Sequence, residues 1–99
     1  MAPQRPILSE EALSDLDEIW LYIASDSPTA ADRVIDEIYQ AIYRLAEFPG
    51  MGHLREDLID EPLRFWSVYQ YLIIYRAEAQ PIEIVRVVSG YRDVTQLLG

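Results

Sequence analysis

The chain contains no cysteine, no lysine and a single histidine among its 99 residues. Without cysteine there is neither disulfide bonding nor thiol chemistry. Without lysine, all eight basic residues are arginines. One histidine cannot build a zinc site by itself, so no metal site and no cofactor are expected. No hydrophobic run approaches the length of a membrane span. The first residues, Met1-Ala2-Pro3-Gln4-Arg5-Pro6, have no apolar stretch of the kind a secretory signal needs. A cytoplasmic protein without membrane contact is the expectation.

What is present fits one domain spanning residues 1–99. At this size folding removes roughly two thirds of the unfolded surface from water, enough for one core. The net charge is −9, and it is unevenly distributed. Ser9 to Phe48 holds ten acids and two arginines, net −8. Pro62 to Gly99 holds three acids (Glu78, Glu83, Asp93) and four arginines (Arg64, Arg76, Arg86, Arg92), net +1. An acidic body repels a phosphate backbone before contact, so direct nucleic-acid binding is disfavoured.

Arg5 to Leu8 reads as a short strand, which Pro6 confines to an edge or a strand start. Ser9 is an N-cap, with Glu10 and Glu11 in the first turn where they favour the helix dipole. Ala12, Leu13, Leu16, Ile19, Trp20 and Ile23 recur at helical spacing and predict a helix to about Ser25. Ser27 caps a second helix, with Pro28 at its first position, where a missing N–H costs nothing. Ala31, Val34, Ile35, Ile38, Ile42 and Leu45 form its apolar stripe, and Phe48-Pro49-Gly50 ends it. So short a link implies an antiparallel helix hairpin. Gly50 to Glu61 reads as a loop. Leu63–Val68, Tyr71–Arg76 and Ile82–Val88 are β-branched and aromatic runs joined by connections too short for parallel crossovers, so they predict an antiparallel meander.

Strand parity predicts that Tyr71, Ile73 and Tyr75 share one face and Leu72, Ile74 and Arg76 the other. In the last strand it puts Ile82, Ile84, Arg86 and Val88 opposite Glu83, Val85 and Val87. Neither strand has a polar face, whereas one hairpin covers only one side of a sheet. The C-terminal Val94 to Leu98 is too short to cover the second side fully, so that side is expected to be an uncovered apolar patch, the usual mark of a partner site; the alternative is that curling of the sheet and the loop before Pro62 hide it.

Three stretches carry a family resemblance: Phe48-Pro49-Gly50-Met51-Gly52-His53, Tyr71-Leu72-Ile73-Ile74-Tyr75-Arg76, and Ile82 to Asp93 with its internal Arg86. In this order, behind the helix Ala12–Ala24, they resemble the ParE/RelE superfamily of small bacterial toxins over essentially the whole chain. The resemblance implies an α+β fold, an antiparallel helix hairpin packed on a small antiparallel β-sheet in the order β-α-α-β-β-β. It also implies the toxin half of a type II toxin–antitoxin module of the plasmid-stabilisation kind, wrapped by a small ParD-like antitoxin in a hetero-oligomer.

RelE-type members cut messenger RNA on the ribosome with lysines, arginines, histidines or a tyrosine around the scissile phosphate, whereas ParE-type members are known as DNA gyrase inhibitors. The missing lysine favours the second branch. So does Ser89, at about the place where many ribonuclease members carry a histidine. Tyr91, Arg86 and Arg92 make a poor proton-transfer set, and no catalytic residue is assigned. The resemblance makes Arg86, Tyr91 and Arg92 the expected target-binding residues, and Trp20, Trp66, Arg64 and Arg76 the expected antitoxin-binding residues. A second reading of Arg86 is a half-buried arginine paired with a helix carboxylate. Ribosome-dependent cleavage, or a member that binds its antitoxin but has lost toxicity, are the alternatives.

Overall fold

The computed structural model describes residues 5–54 and 62–90. Its elements are strand β1 (Ile7–Leu8), helix α1 (Glu10–Ala24), helix α2 (Pro28–Glu47), a 3₁₀ turn (Pro49–Met51), and strands β2 (His53–Leu54), β3 (Arg64–Val68), β4 (Tyr71–Arg76) and β5 (Glu83–Ser89). Both helix starts follow their capping residues. Ser9 Oγ accepts from the Ala12 N–H at 3.0 Å and Ser27 Oγ from the Ala30 N–H at 3.2 Å. Each such bond stabilises its helix by about 1 kcal/mol.

The sheet order is β1-β5-β4-β3-β2. The β3–β4–β5 meander is antiparallel as expected, but the sheet is mixed, because β1 lies parallel to β5. Parallel pairing needs a long connection, and the whole helix hairpin separates β1 from β5. β2 is a further strand inside the expected loop. It adds two residues to the open side of β3, with His53 opposite Phe65 and Leu54 opposite Arg64.

The main core lies between the hairpin and one sheet face. Leu16 and Ile19 of α1 and Ile38, Ile42 and Leu45 of α2 pack with Tyr71, Ile73, Tyr75, Ile84 and Val87. The opposite face carries Leu63, Phe65, Leu72, Ile74 and Val88, and here the structure corrects the sequence reading. These side chains form a second buried cluster, with Ile74 at 0% and Leu72 at 1% exposure. The chain shields this face by itself, so it is not an open apolar patch. The expectation took Val94 to Leu98 as too short a cover for this face; among the described residues its side chains pack against one another and against Val85.

A second correction concerns β5. Its register runs Arg76↔Glu83 and Tyr75↔Ile84, then jumps to Ile74↔Arg86, so Val85 is an extra residue. A β-bulge of this kind leaves one residue unpaired and re-aims those that follow. Ile82 and Ile84 join the helix-facing core together with Val87, while Val85 and Val88 belong to the opposite cluster. Uniform alternation had placed Ile82, Ile84 and Val88 on one face.

Candidate functional site

β1 covers only the first two residues of β5. Beyond Leu8, helix α1 takes over that strand's outer edge with side chains. The Ser9 N–H donates to the Ile84 carbonyl at 3.0 Å, and Ser9 Oγ donates to the Val85 carbonyl at 2.7 Å. Two turns along α1, the Asp15 carboxylate accepts from the Val87 N–H at 2.9 Å. The bulge at Val85 turns Arg86 toward the same carboxylate, whose oxygens accept from Arg86 Nε at 2.7 Å and from Nη2 at 2.8 Å.

This is a two-point guanidinium–carboxylate fork, and Asp15 is only 8% exposed. The hydrogen bonds Arg86 donates to Asp15 raise its pKa above the usual guanidinium value, burial opposes the shift, and Glu11 and Glu18 add to it through space. Arg86 thus adopts the second of its two readings, pairing with a helix carboxylate. Its positive charge is neutralised within the chain.

Next to this pair opens a cleft of about 490 Å³ between α1 and the ends of β4 and β5. Ile19, Val87 and Val88 contribute its apolar lining, and Tyr22, Tyr71, Glu18 and Ser89 line it as well. Tyr22 is 77% exposed, whereas Tyr71 is buried. Burial is the main cause raising the Tyr71 pKa, and the hydrogen bond with Gln70 opposes it.

Sequence reasoning did not single out Glu18, Tyr22 or Tyr71. A signal was there to find, since Glu11, Asp15, Glu18 and Tyr22 recur at spacings of four, three and four, one continuous stripe along a helix.

At the opposite side of the sheet the Pro49-Gly50-Met51-Gly52 loop is clamped. The Tyr75 hydroxyl accepts from the Gly52 N–H at 2.9 Å and donates to the Pro49 carbonyl at 2.7 Å. Arg64 Nη1 donates to the Gly52 carbonyl at 2.8 Å. A Cβ at position 52 would lie 2.5 Å from Tyr75 Oη and 2.7 Å from its Cε1. Glycine is therefore required for space, its φ of −75° being an ordinary one. Burial raises the Tyr75 pKa, and the Gly52 N–H and Arg64 partly offset this.

The remaining candidates are held in internal contacts. Trp20 Nε1 donates to Asp32 Oδ1 at 2.8 Å, joining α1 to the start of α2. Trp66 stacks with His53, ring centroids 6.3 Å apart, and packs at the margin of the main core. Arg76 pairs with Glu83 at 3.2 Å across β4 and β5. Arg64 and Arg76 lie toward the loop end of the sheet. Trp20 sits against the other end of α2, since Asp32 precedes Glu47 by fifteen residues, roughly 22 Å of helix. The four residues expected to contact an antitoxin therefore do not converge on one spot. Tyr91 and Arg92 lie outside the described residues.

His53 on β2 and Arg86 on β5 are separated by β3 and β4, roughly 14 Å at the usual strand spacing. The two cannot act on one phosphate. Among the described residues no group of three or more histidine or acidic side chains is placed to hold a metal ion, and no helix among them is long and apolar enough to cross a membrane.

Comparison with known proteins places these features in context. Residues 7–94 match the family described as ParE toxin of type II toxin–antitoxin system, parDE. The chain is 36% identical over 87 residues to the protein Y4kP of Sinorhizobium fredii, covering 88% of each. It is 34% identical to toxin ParE1 of Caulobacter vibrioides over the full length of both chains. Among solved structures it superposes on a chain of the chromosomal ParDE system from P. aeruginosa with a TM-score of 0.72, covering 92% of this chain and 100% of that one. At 19% identity that match speaks for the fold alone.

Proposed function

The chain belongs to the ParE toxin family of type II toxin–antitoxin systems, and on that premise we propose that it inhibits growth in the cytoplasm by binding DNA gyrase and is neutralised by a small ParD-like antitoxin. Action by binding, without turnover, rests on one observation. Arg86, the strand arginine beside the cleft, is locked to Asp15 at 2.7 and 2.8 Å. A nuclease needs a free cation and a titrating partner close together at the scissile phosphate. Among the described residues the cation beside the cleft, Arg86, is already neutralised, and His53 stands across the sheet.

Target contact then falls to Tyr91 and Arg92, which follow β5 in the chain, while Arg86 ties β5 to α1 through Asp15. An arginine that reaches a carboxylate or phosphate of the target makes charge-assisted bonds of about 1.5–3 kcal/mol. Trp20, Trp66, Arg64 and Arg76 remain candidate antitoxin contacts.

The experiment is supercoiling by purified gyrase with the toxin added, alone or with the protein encoded beside it. Inhibition by the toxin, relieved by the neighbour and weakened roughly tenfold or more by Arg92→Ala, is the expected outcome. Transcripts cut in phase with codons after induction, with supercoiling intact, would overturn it.

A further inference from the structure

The cleft beside α1 has a shape and charge that belong together. Its volume of about 490 Å³ lies within the roughly 300–1,000 Å³ common for sites that hold small groups. Exposed Tyr22 and buried Tyr71 line the cleft together with Ile19 and Val87, and Tyr22 is the smallest of the causes acting on the Tyr71 pKa.

The charge follows by counting. Asp15 and Arg86 cancel. Glu18 lines both the cleft and an adjoining hollow, and Glu11 lines that hollow, the Asp15–Arg86 pair being common to the two. Neither glutamate makes an ion pair among the described residues. Among the described residues the site is thus aromatic, partly apolar and net negative. The cation beside the cleft among these residues, Arg86, is already engaged, which disfavours an anion there.

We propose that this cleft is a recognition site for an arginine side chain of a protein partner, the planar guanidinium lying against Tyr22 and Tyr71 and paired with Glu18. Arginine suits the site better than lysine because its plane stacks on a ring while its fork meets a carboxylate. A cation over a tyrosine face contributes about 0.5–2 kcal/mol, depending on desolvation. Helices carrying net −8 between Ser9 and Phe48 draw a basic segment toward this face. The inference rests on reading the chain as a toxin held by a bound protein, and it assigns that partner one specific contact.

The test uses the full chain, labelled with ¹⁵N, and two small probes. N-acetyl-arginine methylamide carries the cation, and N-acetyl-citrulline methylamide is its neutral isostere. The arginine probe is expected to shift the amides of Tyr22, Gln70, Tyr71 and Val87 to Ser89, and the citrulline probe to leave them nearly unmoved. Glu18→Gln and Tyr22→Ala, both at solvent-facing positions, should each weaken the arginine probe about threefold or more without altering the rest of the spectrum. Equal responses to the two probes, no response to either, or arginine shifts that ignore Glu18→Gln would each overturn the site.

The adjacent-gene protein gives a separate readout. If it co-purifies while the arginine probe fails, the cleft assignment falls and the toxin–antitoxin reading stands. If the probe binds and no neighbour associates, the cleft keeps its arginine preference and the pairing reading falls.

Discussion

Asp15→Ala should be among the most damaging single changes to this fold. The carboxylate accepts three hydrogen bonds, from Arg86 Nε at 2.7 Å, Arg86 Nη2 at 2.8 Å and the Val87 N–H at 2.9 Å. Removing it strands a guanidinium whose side chain is only 23% exposed and orphans a strand N–H. Breaking a fully buried pair costs about 3–5 kcal/mol, and an exposed pair costs under about 1. This pair is mostly buried but reached by water on the arginine side, so about 2–4 kcal/mol is the reasonable range.

A domain of this size is stable by only about 5–15 kcal/mol. The loss therefore corresponds to a fall in melting temperature of very roughly 10–25 °C. Asp17→Ala, which removes an exposed acid from the same helix, should stay within about 0.5 kcal/mol. The assay is urea unfolding followed by far-UV circular dichroism on both variants, with Arg86→Ala and the double variant to close a cycle. Coupling of about 1 kcal/mol or more is expected between Asp15 and Arg86. If Asp15→Ala costs no more than Asp17→Ala, or the two changes simply add, α1 is not tied to β5 in the way described.

Three further outcomes follow from the same geometry. Gly52→Ala places a Cβ 2.5 Å from Tyr75 Oη; it should cost about 1–3 kcal/mol by overpacking, and Tyr75→Phe should rescue it only in part because Cε1 at 2.7 Å remains, as urea midpoints of the three variants will reveal. Tyr69 opens the β3–β4 turn at φ 56°, a conformation that asparagine tolerates better, so Tyr69→Asn should raise the melting temperature by a few degrees (about 0.5 kcal/mol), and a decrease would mean that its contact with Glu37 outweighs the strain. Tyr75 is held above its usual pKa of 10.0 by burial, so the folded state keeps the phenol proton more tightly than the unfolded chain does. Its contribution is complete below pH 10 and is lost as the pH rises through the folded value, so stability measured from pH 8 to 11 should fall at the alkaline end, and less steeply in Tyr75→Phe.

Much of the architecture was legible from local chemistry. Ser9, Ser27 and Pro28 mark the helix starts because capping depends on residues a few positions apart, and the apolar stripes of both helices report their buried faces directly. The meander followed from β-branched runs separated by turns too short for a crossover. The family resemblance rested on the joint order of several stretches, and for one of them, Pro49-Gly50-Met51-Gly52, the structure supplies a physical content, a loop whose glycine makes room for Tyr75.

Other features depend on residues distant in sequence that only folding brings together. Nothing near Val85 announces the bulge, because a bulge is a property of two strands in register, and its effect was to put Val87 in the helix-facing core and Val88 in the opposite cluster. The partner of Arg86 sits 71 positions away on α1, one acid among ten in that region. Charge composition by itself could say that a carboxylate was available, and the tertiary structure alone decided that it would be Asp15, because α1 runs along the edge of β5 where β1 has ended.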